Sequence, residues 1–249
     1  MHIYHSAKQR WIKTISPSIF PDFGKNNSKK IQTLLDSVAT SSITHSFDLL
    51  TENHIEWFEN KYNTILATKH NPHPFDVYAT TLGKEKIMFP YYILTVFENS
   101  IPVGGTIFVM RPDRLSMVYR TYASEWLHNN FKCTPALYAE FLATEYALQH
   151  NKQALVHGID FNPYGVHSHV GVAIFKLSIG CHAEIKPEYE KVETDLNTLP
   201  YNALLLAYPE RNSRITEAFL IGNAETAVKY EQLFKYPDQL HITLYTPKL

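Results

Sequence analysis

The sequence predicts an α/β (α+β) protein built on a mixed, mainly antiparallel sheet flanked by helices. Three observations carry this reading. Apolar, β-rich segments separated by turns fill Tyr91 to Ala123. At Thr134 the hydrophobic period changes from two to that of a helix, about 3.6 residues. Near Leu155 it changes back.

The segments follow in order. Tyr91 to Glu98, Ile101 to Met110 and Leu115 to Ala123 form a three-strand antiparallel meander. Its turns are Asn99-Ser100 and Arg111-Pro112-Asp113-Arg114. Gly104-Gly105 inside the second strand signals a bulge or a close backbone approach. Thr134-Pro135 opens a helix with a capping side chain and a proline at its first position. That helix runs to about His150, with Leu137, Phe141 and Leu148 on one side. Leu155 to Phe161 reads as a buried strand beside the meander, and Asn162-Pro163-Tyr164-Gly165 as a turn. Val170 to Ile179 is a second helix, stopped by Gly180. Cys181 to Ile185 is a further strand.

The flanks are less patterned. Ser16-Pro17-Ser18 and Phe23 to Lys30 have loop chemistry, with a short helix over Lys29 to Val38. Lys25, Lys29 and Lys30 either meet a phosphate or form a solvated surface. Ile43 to Leu49 is strand-like. Thr51 caps an amphipathic helix carrying Ile55, Phe58, Tyr62, Ile65 and Leu66, ended by Asn71-Pro72-His73-Pro74. Asn202 to Tyr208 and Ile215 to Ile221 read as strand or helix. Asn223 caps a helix from Ala224 to Phe234, and Leu240 to Tyr245 alternates as a last strand. With no repeat and no linker, the reading is a single domain over residues 1–249, with its core at about 43–186 and embellished ends.

Composition narrows the function. A chain of 249 residues with 45% hydrophobic and 19% charged residues is neither disordered nor fibrous. Its 23 basic against 24 acidic side chains, net charge -1, lack the footprint of a dedicated DNA binder. Two cysteines, Cys133 and Cys181, outside any C-x-x-C pair exclude a disulfide framework and a zinc ribbon, and fit a reducing compartment. No apolar run is long enough to cross a bilayer, and the N-terminus lacks signal-peptide character, so the expectation is a soluble, cytoplasmic protein with no membrane span. The 16 Tyr, 14 Phe and 3 Trp describe either a ring-lined pocket or a bulky core.

Familiar catalytic motifs are missing. There is no G-x-x-x-x-G-K-[ST] or G-x-G-x-x-G loop, no H-E-x-x-H and no G-x-S-x-G. His157, His167 and His169 cluster around one turn, but no Cys or carboxylate other than nearby Asp160 completes a ligand spacing. Ordinary hydrogen-bonded histidines are the reading, with no metal. Asp160 falls at the C-terminal end of a strand, where open α/β sheets place their ligands. Lys176 falls among Val172, Ala173, Ile174, Phe175, Leu177 and Ile179; it either snorkels to water or points at an anion.

The order of meander, helix, strand ending in Asp, glycine-bearing loop and helix with Phe-Lys resembles an N-acyltransferase of the GNAT fold. More narrowly it resembles the FemAB-like branch, with its BioF2-like acetyltransferase domains. The residues that carry the likeness are Thr134-Pro135 with the helix through Tyr146, Gly158-Ile159-Asp160-Phe161, Gly171, and Phe175-Lys176-Leu177-Ser178-Ile179-Gly180. The match covers about Tyr91 to Ile185. The usual GNAT pyrophosphate loop is replaced by Asn129-Asn130-Phe131-Lys132-Cys133-Thr134-Pro135, as FemAB-like proteins also lack it. The resemblance implies acyl or aminoacyl transfer from an activated donor, aminoacyl-tRNA or acyl-CoA, used as co-substrate with no permanently bound cofactor. The acceptor would be a small-molecule or peptide amine, with tRNA as a candidate partner and DNA not expected. Lys176 would steady developing negative charge and Asp160 would take or position a proton. Arg120, Tyr122, Phe175, Tyr164 and His169 are the candidate substrate-binding residues. The rival reading is a non-catalytic ligand- or tRNA-binding protein that retains the fold.

Overall fold

The computed structural model describes residues 1–18, 20–38, 42–67, 76–122, 133–166 and 168–248. In chain order the elements are β1 (His2–Ser6), β2 (Lys8–Thr14), α1 (Gly24–Val38), β3 (Ile43–Leu49), α2 (Glu52–Ala67), α3 (Val77–Thr80) and β4 (Tyr91–Glu98). There follow β5 (Ile101–Met110), β6 (Arg114–Tyr122), α4 (Pro135–Gln149), β7 (Ala154–Phe161), α5 (Val170–Ser178) and β8 (His182–Glu184). The last are β9 (Lys191–Asp195), β10 (Leu204–Leu206), β11 (Arg214–Ile215), β12 (Glu217–Ile221), α6 (Ala224–Lys229) and β13 (His241–Tyr245). The chain divides into two compact units, Met1–Thr14 with Val156–Leu249, and Ile15–Leu155.

In the Ile15–Leu155 unit, β3, β4, β5 and β6 pair antiparallel in chain order. The predicted meander is therefore present; its first two strands have the expected bounds, the third begins one residue early at Arg114, and its expected end at Ala123 lies outside the described residues. Asn99 and Ser100 both take positive φ, 50° and 65°, the geometry of a two-residue hairpin turn whose twist matches its strands. Gly104 and Gly105 mark close approach: a Cβ at Gly104 would meet the Tyr122 ring and lie 2.7 Å from Thr121 O. Alternation gives the sheet two faces. Tyr91, Ile93 and Ile107 pack with Ile55 and Phe58 of α2. On the other side Phe47 stacks on Phe108 and on Tyr146 of α4.

Thr134 caps α4 as expected, its side chain accepting from Leu137 N, and Pro135 follows. The apolar side predicted for this helix is too narrow. Ala139, Ala143 and Ala147 form a second buried stripe, and Leu148 is only half-buried. Small side chains at spacing four allow neighbours to approach, a signal that hydrophobic periodicity under-weights. Helix α1 also starts earlier than expected, at Gly24 (φ 62°), and absorbs the predicted loop. Lys25, Lys29 and Lys30 stand exposed on it. The proposed stop at Asn71-Pro72-His73-Pro74 lies outside the described residues.

In the other unit, β11, β8, β2 and β7 are neighbours in that order. β1 pairs with β9, and β10, β12 and β13 make a small sheet whose β12–β13 pair is parallel. The tail segments left open between strand and helix are thus strands. The helix capped by Asn223 ends at Lys229, before a separate tight turn over Glu231–Lys235. Strand β7 departs from the expected buried strand: Ile159 and Phe161 are 53% and 50% exposed, while Leu155 and His157 are buried. No sequence signal marks β1 and β2 as strands. In β2 the buried face is Gln9, Trp11 and Lys13, so no apolar alternation announces it.

Candidate functional site

Strand β7 delivers Asp160 just before its end. Gly158, two residues earlier, sits at φ 68°, a conformation other L residues rarely adopt. Beyond the strand, the Asn162 side chain fixes the turn. Its Nδ2 donates to Ser6 O and Leu206 O, and its Oδ1 accepts from Leu206 N at 3.1 Å. Tyr164 is then pinned by paired backbone hydrogen bonds to Leu204, both 2.9 Å. Helix α5 begins after His169, whose Nδ1 accepts from Gly171 N at 2.9 Å. His169 is therefore the helix cap.

Lys176 does not snorkel. It is 7% exposed, and its Nζ lies 2.6 Å from Asp160 Oδ2 and 3.2 Å from His157 O. The Trp11 ring centroid is 5.8 Å from Nζ. Of the two outcomes open for a lysine on this apolar helix, the structure shows the one directed at an anion, and the anion belongs to the chain itself. An ammonium has three N–H donors, and two are used. Asp160 accepts a second bond at the same Oδ2, from the Tyr164 hydroxyl at 2.6 Å. Among the described residues its Oδ1 has no hydrogen-bond partner. Tyr164 in turn accepts from Trp11 Nε1 at 2.6 Å and from Gln9 Nε2 at 2.8 Å. Gln9, Trp11 and Tyr164 are all fully buried. Burial, followed by the Asp160 carboxylate, pushes the Tyr164 hydroxyl well above 10, against the opposing effect of the Trp11 and Gln9 donors.

Asp160, Tyr164 and Lys176 are thus brought together, with His169 and Phe175 on or next to the same helix α5. Phe175 is half-buried. Arg120 and Tyr122 belong to the other unit and also meet each other. The Arg120 guanidinium lies 5.8 Å from the Tyr122 ring centroid and donates to Ala136 O at 2.8 Å. Arg120 also pairs at 3.4 Å with Glu140, a fully buried carboxylate on α4. Tyr122 shares a hydrogen bond with Thr106 at 2.9 Å, and burial raises its hydroxyl to about 12. Sequence reasoning missed Gln9, Trp11 and Glu140. Gln9 and Trp11 leave no hydrophobic signal, since the buried face of their strand is largely polar; Glu140 leaves one, as a lone acid within the apolar run Ala136 to Ala143.

Among the described residues no three His, Cys, Asp or Glu side chains converge as metal ligands, and His167 lies outside them. Nor is any helix among them long and apolar enough to cross a membrane.

No protein-family model matches the chain, and no curated protein does. Solved structures do. A crystal structure of FemX matches with a TM-score of 0.52 at 11% identity, over 70% of this chain and 59% of that one. The C-terminal domain (DUF2156) of a putative lysylphosphatidylglycerol synthetase from Agrobacterium fabrum gives 0.47 at 6% identity, over 77% and 60%. A tandem GNAT protein from the clavulanic acid biosynthesis pathway gives 0.40 at 12%, over 76% and 52%. The chain spans about three fifths of the length of the first two. Over 70% of its length this chain has the fold of FemX, a mixed and mainly antiparallel sheet with flanking helices.

Proposed function

We propose that this protein is an N-acyltransferase that moves an acyl or aminoacyl group from an activated donor, aminoacyl-tRNA or acyl-CoA, to an amine. The observation that carries the reading is the Lys176–Asp160 pair at the end of β7, in a chain with the FemX fold. In the reaction a neutral amine attacks the donor carbonyl, a C–N bond forms, and the carbonyl electron pair moves onto oxygen. Collapse breaks the C–O bond of a tRNA ester or the C–S bond of a thioester, and the leaving oxygen or sulfur takes a proton. The remaining N–H of Lys176 suits the oxyanion, and Asp160 Oδ1 suits the proton lost by the amine. The missing glycine-rich loop favours aminoacyl-tRNA over acyl-CoA, with a small-molecule or peptide amine as acceptor. The cysteine usage fits work in the cytoplasm.

A second reading has its own support. The ion pair neutralises both charges in place, as a structural cross-link would, and a binding protein that keeps the fold needs no more. The test incubates the purified chain with mixed aminoacyl-tRNA or with acetyl-CoA and a panel of primary amines, and follows acylated amines by mass spectrometry. Product that disappears in Asp160→Asn supports transfer. Absence of product from either donor, with a small molecule or RNA that co-purifies stoichiometrically, establishes the binding reading instead.

A further inference from the structure

The Tyr164 hydroxyl has a complete and directed set of bonds. An indole N–H can only donate, so Trp11 Nε1 gives to the phenol oxygen at 2.6 Å. An ionised carboxylate can only accept, so the phenol gives its single proton to Asp160 Oδ2, also at 2.6 Å. The second lone pair of the oxygen is taken by Gln9 Nε2 at 2.8 Å. One donor and two acceptor sites are all that a phenol offers, and all are used inside a fully buried ring. Nothing is left on this hydroxyl for a substrate.

We infer that Tyr164 is a positioning residue, the centre of a buried relay from Gln9 and Trp11 of β2 to Asp160 of β7, rather than a substrate-binding one. The relay holds Asp160 Oδ2, together with Lys176, and thereby turns Oδ1 toward the reacting amine. This rests on the acyl-transfer reading for the role of Oδ1, but the relay itself is testable without turnover. β2 and β7 are neighbouring strands, so strand pairing sets the distance between the two ends of the relay. The three bonds on the phenol fix the groups they join, although the buried Gln9 Oε1 has no partner among the described residues.

Two readouts test it. The chain has 3 tryptophans, so the Trp11 indole resonance in a nitrogen–proton NMR spectrum is assigned by loss in Trp11→Phe. Asp160→Asn changes what the phenol donates to, and the Trp11 indole proton is expected to move, although Trp11 makes no hydrogen bond to residue 160. An unmoved indole resonance overturns the relay, whatever the enzyme does. The second readout is kinetic. Tyr164→Phe is expected to lower kcat roughly 10- to 100-fold with donor and acceptor KM within about twofold, as misplacement of a catalytic group does. A raised KM at unchanged kcat would instead make Tyr164 a substrate contact. Should Tyr164→Phe fail to fold, Gln9→Met keeps both phenol and indole; a smaller drop in kcat at constant KM supports the relay, and wild-type kcat overturns it. If transfer is absent from the wild type, the kinetic arm tests only the proposed activity, and the indole arm still decides the relay.

Discussion

Lys176 Nζ and Asp160 Oδ2 stand 2.6 Å apart although the residues are 16 positions apart in the chain, and both side chains are largely removed from solvent, at 9% and 16% exposure. One charge comes from the last turn of an apolar helix, the other from the end of a strand. Breaking such a pair from one side strands a buried charge, whereas removing both charges does not. That asymmetry makes its role separable from its contribution to folding.

Lys176→Met is expected to lower kcat roughly 10²–10³-fold, the usual loss when one oxyanion donor is removed. Donor affinity should change far less, since the charge develops in the transition state. Stability should fall by about 3–5 kcal/mol, because Asp160 is left charged and unpaired by a cation. Adding Asp160→Asn should restore much of the melting temperature and none of the turnover. A double variant that regains activity would make the pair purely structural.

Acetyl-CoA should bind weakly. At the start of α4 the chain offers no glycine through which a pyrophosphate can approach the backbone. Pro135 has no N–H, and Leu137 N is already held by Thr134 Oγ1 at 3.2 Å. Titration calorimetry should therefore show little heat, and a low-micromolar dissociation constant would contradict this.

Glu184 links folding to acid pH. Burial pushes its carboxyl up, but hydrogen bonds from Arg10 at 2.9 Å and from His182, with their charges, outweigh this, and the net direction is below the ordinary value of 4.5. A lowered folded-state value means that the unfolded chain binds the proton more readily. The stabilisation is fully present above about pH 4.5 and fades as pH falls through the lower folded-state value. Glu184→Gln should therefore melt below wild type at pH 7, with the gap narrowing in melts below pH 4.5. A constant gap would show that Glu184 acts through packing rather than charge.

Gly104→Ala should destabilise the meander. The new methyl would meet the Tyr122 ring and lie 2.7 Å from Thr121 O and 2.8 Å from Tyr122 Cα. A ring can move, but the facing backbone is held by the β5–β6 register, so the cost is about 1–3 kcal/mol, as for other overpacked sites. Chemical denaturation measures it, and an unchanged midpoint would mean that the two strands part without penalty.

How much of this was legible in the sequence differs from element to element. The meander, α4 from Thr134, β7, the turn at Asn162 and α5 were readable because their signals are local: period, cap and turn chemistry act within a few residues. Asp160 and Lys176 could be singled out for the same reason, one by its place at a strand end and the other as a cation on an apolar helix. The strands β1 and β2 were not readable, because the buried face of β2 is an amide, an indole and an ammonium, and a hydrophobic period cannot record polar groups whose partners are distant. The exposed end of β7 and the second buried stripe of α4 escaped for a related reason, since burial depends on what arrives from elsewhere in the chain.

The sequence by itself therefore determined the order and type of the central elements, the resemblance to an acyltransferase architecture, and the identity of the two charged candidates. Tertiary structure decided what those candidates touch. It brought Gln9 and Trp11 to Tyr164, separations of 155 and 153 residues, and chose ion pairing over snorkelling for Lys176. The physical reason is that a buried polar group must be satisfied wherever a partner can be found, and which partner is within 3 Å is set by strand order and register rather than by neighbours in sequence.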